Sequence, residues 1–143
     1  MRDYLLRSRR TPRVMLGGPV MPTVTEEWFS HKKLTPLNIV EININLEKGT
    51  NYEAKRFKAY LDTLLEEKNK NYILNLSKCG MLDSIFLGVI ITFYKKIKEM
   101  NGNLKLVVDP NNTPVSLSKT TLGEIFDIYT QVEAALFSFK MNS

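Results

Sequence analysis

Between Leu37 and Phe137 the hydrophobic repeat of this chain switches period again and again, and that alternation restricts the fold more than any composition figure does. Val40, Ile42, Ile44 and Leu46 alternate with Glu41, Asn43, Asn45 and Glu47. A repeat of two with β-branched residues on one side predicts a strand with one wet face. Gly49-Thr50-Asn51 ends it, and Thr50 or Asn51 can cap a following helix by accepting a free backbone N–H. Ala54, Phe57, Leu61, Leu64 and Leu65 then recur at helical spacing, with Lys55, Arg56, Lys58, Asp62, Glu66 and Glu67 on the other side. This is an amphipathic helix laid on a sheet.

Lys68-Asn69-Lys70-Asn71 stops that helix, and Tyr72 to Leu76 is short and apolar, as a central strand is. Ser77 to Leu82 reads as a loop. Asp83 opens a second helix running to about Met100, with Phe86, Ile90, Phe93 and Ile97 on one stripe and Leu87, Ile91 and Tyr94 beside it. Lys95, Lys96 and Lys98 suit its negative C-terminal end, and Gly102 supplies a residue free to reverse the chain. Leu104 to Val108 predicts another strand. Residues 111–121 allow only a short helix. Ile125 to Tyr129 predicts a brief strand and Gln131 to Phe137 a last helix, with Val132, Ala135 and Leu136 facing inward. Strands alternating with helices predict an α/β domain, with helices packed mainly on one face of a mixed β-sheet.

The N-terminal part differs. Residues 1–22 hold Pro12, Gly17, Gly18, Pro19 and Pro22 without periodicity, and they read as a basic, poorly ordered extension. Val24 to Phe29 is expected as a short strand, and the domain is placed at 23–139. Of the net charge of +5, residues 1–36 carry +4, including Arg2, Arg7, Arg9, Arg10 and Arg13. A basic arm suits nucleic acid, an anionic membrane or an acidic partner. Tyr4 is the one aromatic residue among these arginines, too few for a stacking surface, so direct nucleic-acid binding is not expected. Met15 and Met21 leave the true start open.

Other classes are excluded by simple features. The uncharged run Ser84 to Tyr94 is far short of the ~18 apolar residues of a membrane span. Met1 to Arg10 lacks the apolar core of a secretory signal. One cysteine, Cys79, forms no internal disulfide, and the expectation is a cytoplasmic protein. The Asn75-Leu76-Ser77 and Asn111-Asn112-Thr113 sequons carry no meaning there.

One histidine, His31, and one cysteine make no Cys/His zinc site, and neither a metal nor a cofactor is expected. There is no P-loop and no G-x-G-x-x-G. Asp83, Asp109 and Glu99 are the acids available for a carboxylate pair, but acids at element ends are common, and no enzyme is expected. Ser84 is the residue of interest. It falls in the first turn of the second helix, after its N-cap Asp83, where unpaired N–H groups and the positive dipole end accommodate a phosphate. Asp-Ser at a helix start is equally an ordinary cap.

Order and spacing shift that balance. Ile73-Leu74-Asn75-Leu76 is followed eight residues after Asn75 by Asp83-Ser84, and then by Leu87-Gly88-Val89-Ile90. Lys95 to Lys98 with Asn101-Gly102, the Leu104 to Val108 strand, Thr120 to Phe126, and Val132 to Leu136 complete the series. Residues 37–137 thus resemble the STAS domain, and within it the bacterial anti-sigma factor antagonists, whose motif reads Asp-Ser-Ser/Thr-Gly-Leu-Gly-Val. The resemblance implies a STAS-like single domain and a regulatory binding module that sequesters an anti-sigma factor acting as a serine kinase. It implies that phosphorylation at Ser84 switches the module off and that a serine phosphatase resets it. Asp83, Ser84, Ile85, Phe86, Leu87 and Gly88 are the partner-binding residues it implies.

The chain departs from the motif at Ile85 and Phe86, where the family has Ser/Thr and Gly, and at Leu46-Glu47-Lys48-Gly49, where it has Gly-Glu-Leu-Asp. Phe86 shares the core stripe of Ile90, Phe93 and Ile97, which leaves Ile85 as an exposed apolar anchor. The alternative reading is an unphosphorylated STAS scaffold subunit of a larger signalling or membrane-associated complex.

Overall fold

A computed structural model describes residues 28–35, 37–118 and 124–141 of the chain. The extension at 1–22, the first part of the strand expected from Val24, and Thr120 to Gly123 lie outside the described residues. The elements are β1 (Phe29–Leu34), β2 (Ile39–Ile44), β3 (Lys48–Gly49), α1 (Asn51–Glu66), β4 (Asn71–Asn75), β5 (Met81–Leu82), α2 (Ser84–Glu99), β6 (Asn103–Val107), α3 (Val115–Ser118), β7 (Asp127–Tyr129) and α4 (Val132–Met141).

Five strands form one sheet in the order β1-β2-β4-β6-β7, with β1 antiparallel to β2 and the other pairs parallel. In the register, Val40, Tyr72 and Leu104 form one row and Ile42, Leu74 and Leu106 another. Both rows are buried beneath α1 and α2, with Phe57, Leu61, Phe86, Ile90 and Phe93 packed over them in one core. The apolar stripes of the two helices are therefore their sheet-facing sides, as amphipathic spacing requires.

The other face of the sheet is also covered. Ala135 of α4 joins Ile39, Ile73 and Val107 in a second, smaller core. The expectation of one wet face on β2 is corrected here: Glu41 is only 7% exposed. Alternation reported that the two faces differ in polarity, and it could not report that α4 returns over the more polar one. Polar groups on that face are paired. Lys105, 2% exposed, donates to Ser138 Oγ at 2.6 Å and lies 4.6 Å from the centre of the Phe139 ring. It also forms an ion pair with Asp127 at 3.9 Å, while Glu41 meets Lys32 at 3.9 Å.

Three local readings change. The strand expected to end at Phe29 begins there and runs to Leu34, so His31 belongs to the sheet edge and pairs in register with Ile42. The segment Ser77 to Leu82, expected as a loop, contains β5. At the end of α2 the left-handed residue is Asn101 (φ 63°), not Gly102. Gly102 is needed for space instead, because a Cβ there would lie 1.9 Å from the Lys70 carbonyl oxygen.

Candidate functional site

β3 and β5 are two residues each, yet they align the site. Lys48 pairs with Met81 and Gly49 with Leu82 in parallel, and Asp83 N–H donates to the Gly49 carbonyl at 2.9 Å. The starts of α1 and α2 therefore stand side by side. Thr50 caps α1: its side chain accepts from the Tyr52 N–H, and Glu53 accepts from the Thr50 N–H at 2.9 Å, which completes a capping box.

Asp83 caps α2, accepting from the Phe86 N–H through Oδ1 at 2.8 Å. Its other oxygen, Oδ2, accepts from the Asn51 N–H at 2.7 Å. One carboxylate thus ties two helix starts together. Sequence reasoning found the cap and missed the bridge, since no local signal reports a parallel ladder of two residues.

Ser84 is the first residue of α2 and is exposed. Its hydroxyl stands where the first-turn N–H groups lack intrahelical partners and the dipole is positive. Ile85 beside it is 52% exposed. Gly88 is one turn further and partly exposed. Phe86 and Leu87, which the resemblance implied at a partner surface, are buried, Phe86 as its place on the core stripe with Ile90, Phe93 and Ile97 leads one to expect. Phe86 stacks on Phe57 with ring centres 4.5 Å apart and planes 4° apart. Gly49 makes this possible, because a Cβ on it would lie 2.7 Å from the Phe86 ring. Of the six residues, Asp83, Ser84, Ile85 and Gly88 reach the surface together.

Along α1 and α2 runs a groove of about 320 Å³, with Ser84 and Ile85 at one end and Lys58, Asp62 and Lys96 among its lining. Lys58 donates to Asp62 at 3.0 Å and Lys96 at 3.3 Å. The Lys58 hydrogen bond holds the Asp62 carboxyl below its ordinary value against the opposing effect of burial, and the Lys96 hydrogen bond and charge act in the same lowering direction. A second hollow, about 260 Å³ and lined by Ser30, Asn43, Asn75, Ser77 and Lys78, lies where β2 and β4 end.

The remaining candidates are scattered. The His31 ring hydrogen-bonds the Tyr60 hydroxyl on an exposed surface. Glu99 and Asp83 flank opposite ends of the 16-residue α2, about 24 Å apart at 1.5 Å per residue. Asp109 is used in a turn, accepting from the Asn111 N–H at 2.9 Å. Cys79 is buried, and that burial pushes its thiol above the usual value, so it is not a poised nucleophile. Among the described residues no three His, Cys, Asp or Glu gather as metal ligands, and no helix is long and apolar enough to cross a membrane.

This geometry, two capped helix starts beside a mixed sheet with an exposed serine between them, defines a class that sequence comparison places directly. The STAS domain model matches residues 50–135, and the chain belongs to the STAS domain family. Among solved structures it is similar to a Thermotoga maritima protein described as an anti-sigma factor antagonist. The two are 25% identical with a TM-score of 0.68, over 81% of this chain and 97% of that one. An anti-sigma factor antagonist from Mycobacterium paratuberculosis is 15% identical, with a TM-score of 0.66 over 78% of this chain and 94% of that one. The Bacillus cell fate determinant SpoIIAA, solved in its phosphorylated form, is 17% identical, with a TM-score of 0.58 over 77% and 98%. Comparison with curated protein sequences finds no match.

Proposed function

We propose that the chain is an anti-sigma factor antagonist that binds an anti-sigma factor with serine-kinase activity and releases it when Ser84 is phosphorylated. The observation that carries this reading is the exposure of Ser84 on the first turn of α2, in a STAS domain, directly after the cap Asp83. A kinase can reach an exposed hydroxyl, and the helix start accommodates the phosphate product. The phosphate adds about −1.5 to −2 charges to a surface otherwise marked by the apolar Ile85. A loss of a few kcal/mol at such an interface weakens binding about 10²-fold. The chain itself performs no catalysis in this scheme. A serine phosphatase restores the binding form, and the cytoplasm is the compartment where such partners meet.

The test pairs wild-type and Ser84→Asp baits in pull-downs from the source cell, with phosphosite mapping of the chain after incubation with the captured kinase and ATP. Calorimetry with the purified partner is expected to give Ser84→Asp an affinity lower by about 10²-fold. Equal affinity of the two forms, or modification mapped elsewhere, rejects the switch. The half-exposed Ile85 favours a second reading, a permanently packed STAS scaffold subunit that is never phosphorylated. Light scattering of the pure chain separates them, since a scaffold self-assembles.

A further inference from the structure

We propose that the groove between α1 and α2 seats an acidic segment of a partner protein anchored by apolar side chains, and that Ser84 regulates it from the groove's mouth. The second part rests on the reading of Ser84 above; the first does not. Leu61, Val89 and Phe93 give the groove an apolar lining. Its middle is open because Gly88 carries no side chain, and a Cβ built there would meet nothing within 4 Å. Ser84, Gly88, Thr92 and Lys96 follow one another at i, i+4 along it. The twelve residue steps of helix from Ser84 to Lys96 make it about 18 Å long. That length suits several side chains of an extended or helical segment better than one compact small molecule.

Charge selects among occupants. Lys58 and Lys96 share one carboxylate, Asp62, so this end of the groove is net positive. A second copy docked through a two-fold axis would set these cations against their own kind. Residues 1–27, with five arginines against Asp3, Glu26 and Glu27, share the groove's sign. An acidic partner segment has the complementary charge. A phosphate on Ser84 lines the same groove and repels that segment directly.

The test is selection from a random peptide library on the full-length chain, with recovered peptides titrated by fluorescence anisotropy. Enriched peptides are expected to combine a large apolar residue with neighbouring Asp or Glu. Gly88→Trp fills the groove at a position with room for a side chain and improves helix propensity, so it folds. It is expected to weaken binding at least tenfold, as is Lys58→Glu combined with Lys96→Glu. No enrichment, basic peptides, or binding that ignores Gly88→Trp overturns the proposal. So does a dimer, or binding of dodecanoate, that Gly88→Trp abolishes. Ser84→Asp separates the two claims. If it leaves peptide affinity unchanged while Gly88→Trp removes it, the groove stands and the Ser84 switch falls.

Discussion

Asp83 uses each carboxylate oxygen for a different helix, Phe86 N–H of α2 on one side and Asn51 N–H of α1 on the other. Both are charge-assisted bonds to donors with no partner inside their helix. Asp83→Ala is therefore expected to cost about 1–2 kcal/mol in urea unfolding, at the upper end of the range for a lost cap. Tyr72 makes the case for burial at one atom. Its hydroxyl donates to the Asn69 carbonyl at 2.8 Å. Its pKa is pushed up to about 12, first by burial and then by the charge of Glu67. The raised value means that its contribution is complete below the ordinary 10.0 and is lost as pH climbs from there toward about 12, where the folded protein must ionise too. Tyr72→Phe is expected to be less stable at neutral pH by about 1 kcal/mol. It should also show a shallower alkaline decline, followed by denaturant melts and tyrosinate absorbance.

Among the elements, α2 carries the site and its position depends on one aromatic pair. Phe86 sits in the second layer of the site, pinned between Phe57 of α1 and the bare Cα of Gly49. The phenylalanine fills the space under β3 and so fixes how α2 begins, which leaves Ser84 and Ile85 pointing outward. Phe86→Ala opens a cavity between the two helices and is expected to cost about 3–5 kcal/mol in thermal or urea unfolding. A Phe86→Leu variant, which keeps most of the volume, should recover much of that. The short ladder of β3 with β5 does the companion task of aligning the two helix starts.

At the scale of the whole molecule, the sheet is closed on both faces by unequal layers. α1 and α2 bury the larger core, and α4 closes the smaller one through Ala135, which is completely buried against Ile39, Ile73 and Val107. Ala135→Asp places a charge in that contact and is expected to cost about 2 kcal/mol or more. Amide hydrogen exchange should quicken first in α4 and only later in β2 and β4, because the α1–α2 core is separate. With α4 detached, the Lys105 bond to Ser138 is lost as well.

Much of this is legible in the amino-acid sequence. Helical spacing over Ala54 to Leu64 and Phe86 to Ile97 named the sheet-facing stripes, since burial of one face is a property of local periodicity. Asp83 as a cap and Ser84 in the first turn followed from backbone donors that every helix start leaves free. Contacts between distant segments were not readable. That Ala135 of α4 packs with Ile39, Ile73 and Val107, that Gly49 makes room for Phe86, and that β3 pairs with β5 all join residues far apart in the chain. The stripe of Phe86, Ile90, Phe93 and Ile97 already turned Phe86 inward and Ile85 outward, whereas the burial of Leu87 beside that stripe is set by the neighbours packed on it. Apolarity, capping and periodicity are written along the chain. Only tertiary packing decided which residues meet, because the distances that matter are set by side-chain volumes across layers and not by position along the chain.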